Sequence, residues 1–257
     1  MLNFDDILSY YPKHLHGFKA NILKEYLQHR ILDILFSTKF SNQLVFLGGT
    51  SIRIIHNSTR FSEDLNFDNL GLNQNDFSKI CHMIQYQLSL EGFQIDIKNV
   101  FKTSAYHCYI KFPGLLYDQR LSGHKEEKIL IQLDAEPQKY DYLPDKFLLN
   151  KFGIFRYLNT TPLPLLLSQK ICACLYRKRT KGRDFFDVVF LFSKTTPDFT
   201  YLSKNADINT KKDLIERLEQ KASHLDLKIL AKDIEPFLFD PSQKDRVLYF
   251  NNWLTTL

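Results

Sequence analysis

Phe46-Leu47-Gly48-Gly49-Thr50-Ser51, followed after eight residues by Arg60-Phe61-Ser62-Glu63-Asp64-Leu65-Asn66-Phe67-Asp68, is the stretch that decides the fold. The apolar run Leu44, Val45, Phe46 and Leu47 reads as a buried strand, and Ser51 to His56 as one or two helical turns. Where a strand gives way to a helix through glycines, the first backbone N–H groups are unpaired and the helix dipole favours an anion. Gly48, Gly49, Thr50 and Ser51 can therefore cradle a phosphate chain. In the second half a period of two places Asp64, Asn66 and Asp68 on one face of a strand and Leu65 and Phe67 on the other. Oxygen donors along one strand edge are what Mg²⁺ accepts. Each half also has a plain reading, a tight turn and a solvated edge strand respectively.

Outward from this stretch, the 257 residues suffice for one large domain or two modest ones. The net charge of +5 is mild, so its distribution matters more than its total. No apolar run approaches the ~20 residues that span a bilayer, and Met1-Leu2-Asn3-Phe4-Asp5-Asp6 is not the start of a secretory signal. The expectation is a cytoplasmic protein without a membrane partner, in which Cys81, Cys108, Cys172 and Cys174 serve as reduced, small apolar residues. Helical spacing runs from Phe18 to Phe36 and from Asn75 to Glu91; strand-like runs cover 93–101, 105–112, 128–135 and 147–158. From Pro162 the pattern becomes helical: 163–177, 184–193, 211–223, 227–237 and 245 onward. This predicts an α/β (α+β) chain: a mixed sheet flanked by helices over 1–160, then a helical domain over 161–257.

Two further segments carry chemistry. In Ile129-Leu130-Ile131-Gln132-Leu133-Asp134, alternation puts Gln132 and Asp134 together on the polar face; Asp134 can be a ligand, or the cap of the turn Ala135-Glu136-Pro137. Lys170 and Arg177 lie two helical turns apart on one face, ahead of Lys178, Arg179, Lys181 and Arg183-Asp184-Phe185-Phe186-Asp187. That run can also be a solvated basic turn with Asp184 capping the next helix. No histidine pair has metal-ligand spacing, and no Ser, Cys or Thr has a nucleophile's setting. Tyr140, Tyr142 and Tyr157 are candidate base-stacking residues within an otherwise core-forming aromatic set.

The 48–51 and 60–68 segments, together with Lys170 and Arg183-Asp184-x-x-Asp187, resemble the signature of the AbiEii/AbiGii-type nucleotidyltransferases. These are toxin components of bacterial toxin–antitoxin and abortive-infection systems. The resemblance runs over about residues 13 to 193 and implies the fold of DNA polymerase β-like nucleotidyltransferases, with the substrate cleft between the two domains. It implies Mg²⁺-dependent transfer of a nucleoside monophosphate from an NTP to an acceptor hydroxyl, with Mn²⁺ as an alternative ion. Some relatives add nucleotides to the tRNA 3′ end, so RNA is the implied acceptor and a co-encoded antitoxin the implied partner.

Residue by residue, it implies nucleotide contacts at Gly48, Gly49, Thr50, Ser51, Arg60, Ser62, Lys170 and Arg177. Metal would be held at Asp64, Asn66, Asp68 and Asp134, and catalysis carried by Asp64, Asp134, Lys170, Asp184 and Asp187. Lys170 would face the triphosphate with Asp184 or Asp187 positioning it, and Lys178, Arg179 and Lys181 would meet an RNA backbone. The chain departs from the family where an Asp-x-Asp pair carries Asn66 as its second member. Two other readings stay open: transfer to a protein or small molecule, and a catalytically weak nucleotide- or RNA-binding module.

Overall fold

The computed structural model describes residues 2–257. By their contacts the described residues form two compact units, residues 2–56 with 62–160 and residues 57–61 with 161–257.

In the first unit α1 (Phe4–Ser9) begins at a capping box between Asn3 and Asp6. The apolar positions of α2 (Lys19–Phe36) bury Ile22, Leu27, Ile31, Leu32 and Leu35 completely against the sheet. β1 (Leu44–Leu47) runs straight into α3 (Gly48–His56), and β2 (Leu65–Asn69) returns beside β1. After α4 (Gln74–Leu90), capped by Asn73, come β3 (Asp96–Phe101), β4 (Tyr106–Pro113), the single turn α5 (Leu115–Asp118), β5 (Lys128–Glu136), β6 (Asp145–Lys151) and β7 (Ile154–Thr160). The seven strands lie in the order β3-β4-β5-β2-β1-β7-β6, with β2/β5 and β1/β7 parallel and the other pairs antiparallel.

Register decides what each face carries. Phe46 pairs with Phe67, and the Phe67 ring packs against Phe36 of α2 with centroids 6.2 Å apart. Leu65, Phe67, Ile131 and Leu133 are thus core residues on the helix-covered face. The pleat then sends Asn66 and Asp134, cross-strand partners on β2 and β5, to the opposite face, where His107 of β4 pairs with Asp134.

The second unit is helical: α6 (Leu163–Tyr176), α7 (Gly182–Phe192), α8 (Phe199–Ala206), α9 (Lys211–Ser223), α10 (Leu227–Ile234), α11 (Asp245–Leu248) and α12 (Phe250–Leu254). Its core includes Ile171, Phe185, Phe186, Leu191, Leu214, Leu218 and Phe250. The pentapeptide 57–61, which interrupts the first motif in sequence, belongs here. Phe61 N–H donates to Phe237 O at 2.8 Å, Phe239 N–H donates to Thr59 O at 3.0 Å, and the Phe61 and Phe239 rings pack tilted with centroids 4.7 Å apart.

Gly182 fixes the start of α7. A Cβ on it would stand 1.9 Å from the carbonyl oxygen of Leu230 in α10, a backbone atom that cannot rotate away. Glycine to alanine ordinarily stabilises a helix by ~1 kcal/mol, so Gly182→Ala tests the close approach by its sign. We expect a loss of about 3 kcal/mol, seen as a Tm lower by several degrees, because α7 and α10 must separate. An unchanged or raised Tm would refute the contact.

Candidate active site

The phosphate turn is built differently from its sequence reading. The helix begins at Gly48 itself, whose φ of +82° favours glycine. A Cβ there would also sit 3.0 Å from Nδ2 and 3.2 Å from Cβ of Asn66, so Gly48 is needed both for its conformation and for the approach of β2. Gly48 and Gly49 are half-buried. Thr50 and Ser51, expected among the phosphate-contacting residues, have fully buried side chains. Thr50 Oγ1 donates to the carbonyl of Asp64, and Ser51 Oγ lies 3.4 Å from Thr160 Oγ1. These hydroxyls fasten α3 to the strands, and the backbone N–H groups of its first turn are what remains for an anion.

At its other end α3 is tied to α2. Arg53 donates from Nε and a terminal nitrogen to Glu25 at 2.8 and 3.2 Å, and Lys151 and the Tyr11 hydroxyl reach the same carboxylate at 3.0 and 2.8 Å. Burial alone would raise the Glu25 carboxyl, but Arg53 and Lys151 draw it down to about 2. Burial pushes the neighbouring His29 down to about 4.

Asp64, immediately before β2, is held through its backbone. Besides the Thr50 bond, Gln28 of α2 donates to the carbonyls of Ser62 at 3.0 Å and Glu63 at 2.8 Å. Gln28, 1 % exposed, is a positioning residue that no motif signals. Ser62 itself is half-buried. Asn66 then projects beside Asp134, and both line a small cavity of about 100 Å³ with His107, Glu136 and Gln138. Asp134 is oriented by side chains rather than spent on a cap: Gln132 Nε2 donates to its oxygens at 2.8 and 3.0 Å, and His107 Nδ1 lies 2.7 Å from Oδ1. His107 was not legible as a site residue, since only the β4/β5 register brings it to Asp134. Its Nε2 is buried and has no hydrogen-bond partner among the described residues.

Asp68 departs from expectation. It is 2 % exposed, its Oδ1 accepts from the Gln138 N–H at 2.9 Å, and its Oδ2 accepts from the Tyr142 hydroxyl at 2.8 Å. Burial raises its carboxyl above the usual range, against the pull of those hydrogen bonds. It pins the segment that follows β5, and Tyr142 is the hydroxyl that pins it rather than a stacking surface. No group of three His, Cys, Asp or Glu side chains converges among the described residues. Of the residues expected to hold metal, Asp64 and Asp134 are carboxylates and Asn66 is an amide. All three offer oxygen, which fits a hard divalent cation.

In the second unit, Lys170 Nζ lies 3.2 Å from Asp184 and 2.8 Å from Asp187. Arg177 reaches Asp184 at 2.6 Å. Asp184 is thus the third residue of α7 and an ion-pair partner rather than an N-cap. Arg60 was expected at the nucleotide, yet it is 2 % exposed and bonds Asp187 in a bidentate pair at 2.8 and 2.7 Å. Burial would raise the Asp187 carboxyl, but Arg60 and Lys170 hold it below the usual carboxylate range. Arg177, Lys178 and Arg179 are exposed and Lys181 half-buried between α6 and α7.

The helix that starts at Gly48 packs on the strand carrying Asn66, and Asp134 lies in register on the parallel neighbour, the arrangement that the resemblance of the sequence implied. The profile of the family described as "Nucleotidyl transferase AbiEii toxin, Type IV TA system" matches residues 30–248, and the chain belongs to that family. It is an enzyme of the nucleotidyltransferase class, with an antitoxin as its system partner. Two crystal structures of Helicobacter pylori proteins agree on the fold. JHP933 from Helicobacter pylori superposes with a TM-score of 0.55 at 19% identity, over 92% of this chain and 90% of that one. A proposed nucleotidyltransferase from H. pylori gives 0.55 at 18%, over 91% and 93%. An antigenic nucleotidyltransferase-like protein from Paracoccidioides brasiliensis gives 0.45 at 14%, over 82% and 93%. No curated protein matches the chain. No helix among the described residues is long and apolar enough to cross a membrane.

Proposed function

We propose that this enzyme transfers a nucleoside monophosphate from an NTP to a hydroxyl of RNA, the tRNA 3′ end being the acceptor that the family resemblance favours, in a Mg²⁺-dependent reaction. The observation that carries the reading is the β2/β5 register, which puts Asn66 beside Asp134 and two residues beyond Asp64, next to the glycine turn. The first-turn N–H groups of α3 bind the phosphates. Asp64, Asn66 and Asp134 hold the ion, which supplies charge neutralisation at the triphosphate and a lowered pKa for the attacking hydroxyl. Lys170, held between Asp184 and Asp187, is the cation assigned to the charge that develops on phosphorus. Lys178, Arg179 and Lys181 are assigned to the RNA backbone. Arg60, Thr50 and Ser51 act by holding these groups in place. Incubation with each labelled NTP and total RNA or protein tests the reaction and its acceptor, and label transferred only to protein would overturn the RNA reading.

The neutral Asn66 gives a graded test. A carboxylate binds a divalent cation more strongly than an amide, and aspartate matches asparagine in shape, so Asn66→Asp keeps the packing against Gly48. It is expected to tighten Mg²⁺ binding in calorimetry and lower the Mg²⁺ concentration at half-maximal rate by about tenfold. Asp68→Asn should leave both unchanged, since its oxygens already serve Gln138 and Tyr142. The reverse pattern would give Asp68 the ligand role.

A further inference from the structure

The face that carries Asp134 continues across β5, β4 and β3, and there it is open. α4 packs Phe77 on the Phe101 and Tyr106 rings at 6.1 and 5.6 Å, from the opposite side, where Ile129, Ile131, Cys108 and Ile110 are buried. Alternation leaves Lys98, Tyr109, Lys111, Lys128, Leu130 and Gln132 on the open face. Register arranges them in tiers below the Val100–His107–Asp134 row: Lys98–Tyr109–Gln132, then Asp96–Lys111–Leu130.

Three features separate this face from an ordinary solvated one. Leu130 is 40% exposed although β5 is the third strand from the sheet edge. Lys98 and Lys128 are exposed and Lys111 half-buried, yet none of the three forms an ion pair among the described residues, even with Asp96 across the strand. Lysine on the edge strand β3 could merely deter strand pairing, but Lys111 and Lys128 lie on interior strands where no edge needs guarding.

We propose that this face docks single-stranded nucleic acid: phosphates at Lys98, Lys111 and Lys128, a base stacked on Tyr109, and the strand directed along the tiers toward Asp134. The inference rests on the reading that the acceptor is RNA and names the surface that receives it. An aromatic ring set among unpaired cations suits unpaired bases on a charged backbone. A merely acidic protein would use the lysines and leave Tyr109 and Leu130 without a role.

The test is fluorescence anisotropy of the full chain with a short unstructured RNA oligonucleotide, in the absence of NTP and Mg²⁺, over a salt series. Lys98→Gln/Lys111→Gln should weaken binding and lower the salt slope by about 1.4, at ~0.7 per phosphate contact to a single strand. Tyr109→Leu should weaken binding about tenfold with the slope unchanged. Thermal unfolding of each variant checks the fold. An unchanged slope in the double lysine variant, equal affinity for a duplex of the same length, or no RNA binding by the wild type would each overturn the proposal. Because the readout is binding without turnover, a failure of nucleotidyl transfer is scored separately. Conversely, transfer to RNA with an unchanged acceptor KM in the double variant overturns this surface and leaves the transferase reading standing.

Discussion

Arg60→Leu is expected to destabilise the second unit by about 3 kcal/mol, the low end of the ~3–5 kcal/mol seen when one partner of a buried ion pair is removed. The variant leaves Asp187, itself fully buried, with Lys170 as its remaining cation, which is why the low end applies. Denaturant unfolding followed by circular dichroism measures the loss. Its pH dependence has a definite sign. Arg60 and Lys170 hold the Asp187 carboxyl below its usual value against burial, so the pair's contribution is complete above the unfolded value of ~3.9 and is lost as pH falls through the folded one. The stability gap between wild type and Arg60→Leu should therefore be constant near neutrality and narrow below about pH 4. The double variant Arg60→Leu/Asp187→Leu should recover part of the loss, since no uncompensated carboxylate remains. A stably folded Arg60→Leu with weakened NTP binding would instead restore Arg60 to the nucleotide contacts.

Arg60 also shows where the sequence stops being readable. Local periodicity carried the strands of the first motif, the α2 and α4 helices and the helical character beyond residue 160, because each rests on alternation or on 3.6-residue spacing within a few turns. The short helices α1 and α5 carry too few residues for a period, and α8 went unread as well. The site divides in the same way. Asp64, Asn66 and Asp134 were legible as candidates because alternation alone puts each on a polar face. Gln28, His107 and Gly182 were not, because their roles exist only through α2 reaching Ser62 and Glu63, β4 pairing with β5, and α7 meeting α10. Burial bears on what motif membership implies: Arg60, Thr50, Ser51 and Asp68 stand in the motif, and their polar groups are bound to Asp187, Asp64, Thr160 and the Gln138–Tyr142 segment.

Asp64→Ala should have the largest effect on activity and a small one on stability. The backbone bonds that place this residue, from Thr50 to its own carbonyl and from Gln28 to the carbonyls of Ser62 and Glu63, do not involve its carboxylate and survive the substitution. With one carboxylate fewer in the proposed metal set, like-charge repulsion falls, so Tm should be unchanged or slightly raised without added metal. The catalytic loss should be at least about 10³-fold in kcat/KM, or ~4 kcal/mol of transition-state stabilisation, because with Asn66 neutral only Asp134 would still offer a charge to the ion. Mg²⁺ binding by calorimetry should weaken in parallel, and toxicity on expression without antitoxin should disappear. Asp64→Asn sharpens the test: it keeps the shape of the side chain and removes only charge, so it should fall close to Asp64→Ala in rate and in Mg²⁺ affinity. A variant with full Mg²⁺ affinity and undiminished toxicity at equal expression would remove Asp64 from the metal site. Asp134 and His107 would then be the next place to look for the charge that this chemistry requires.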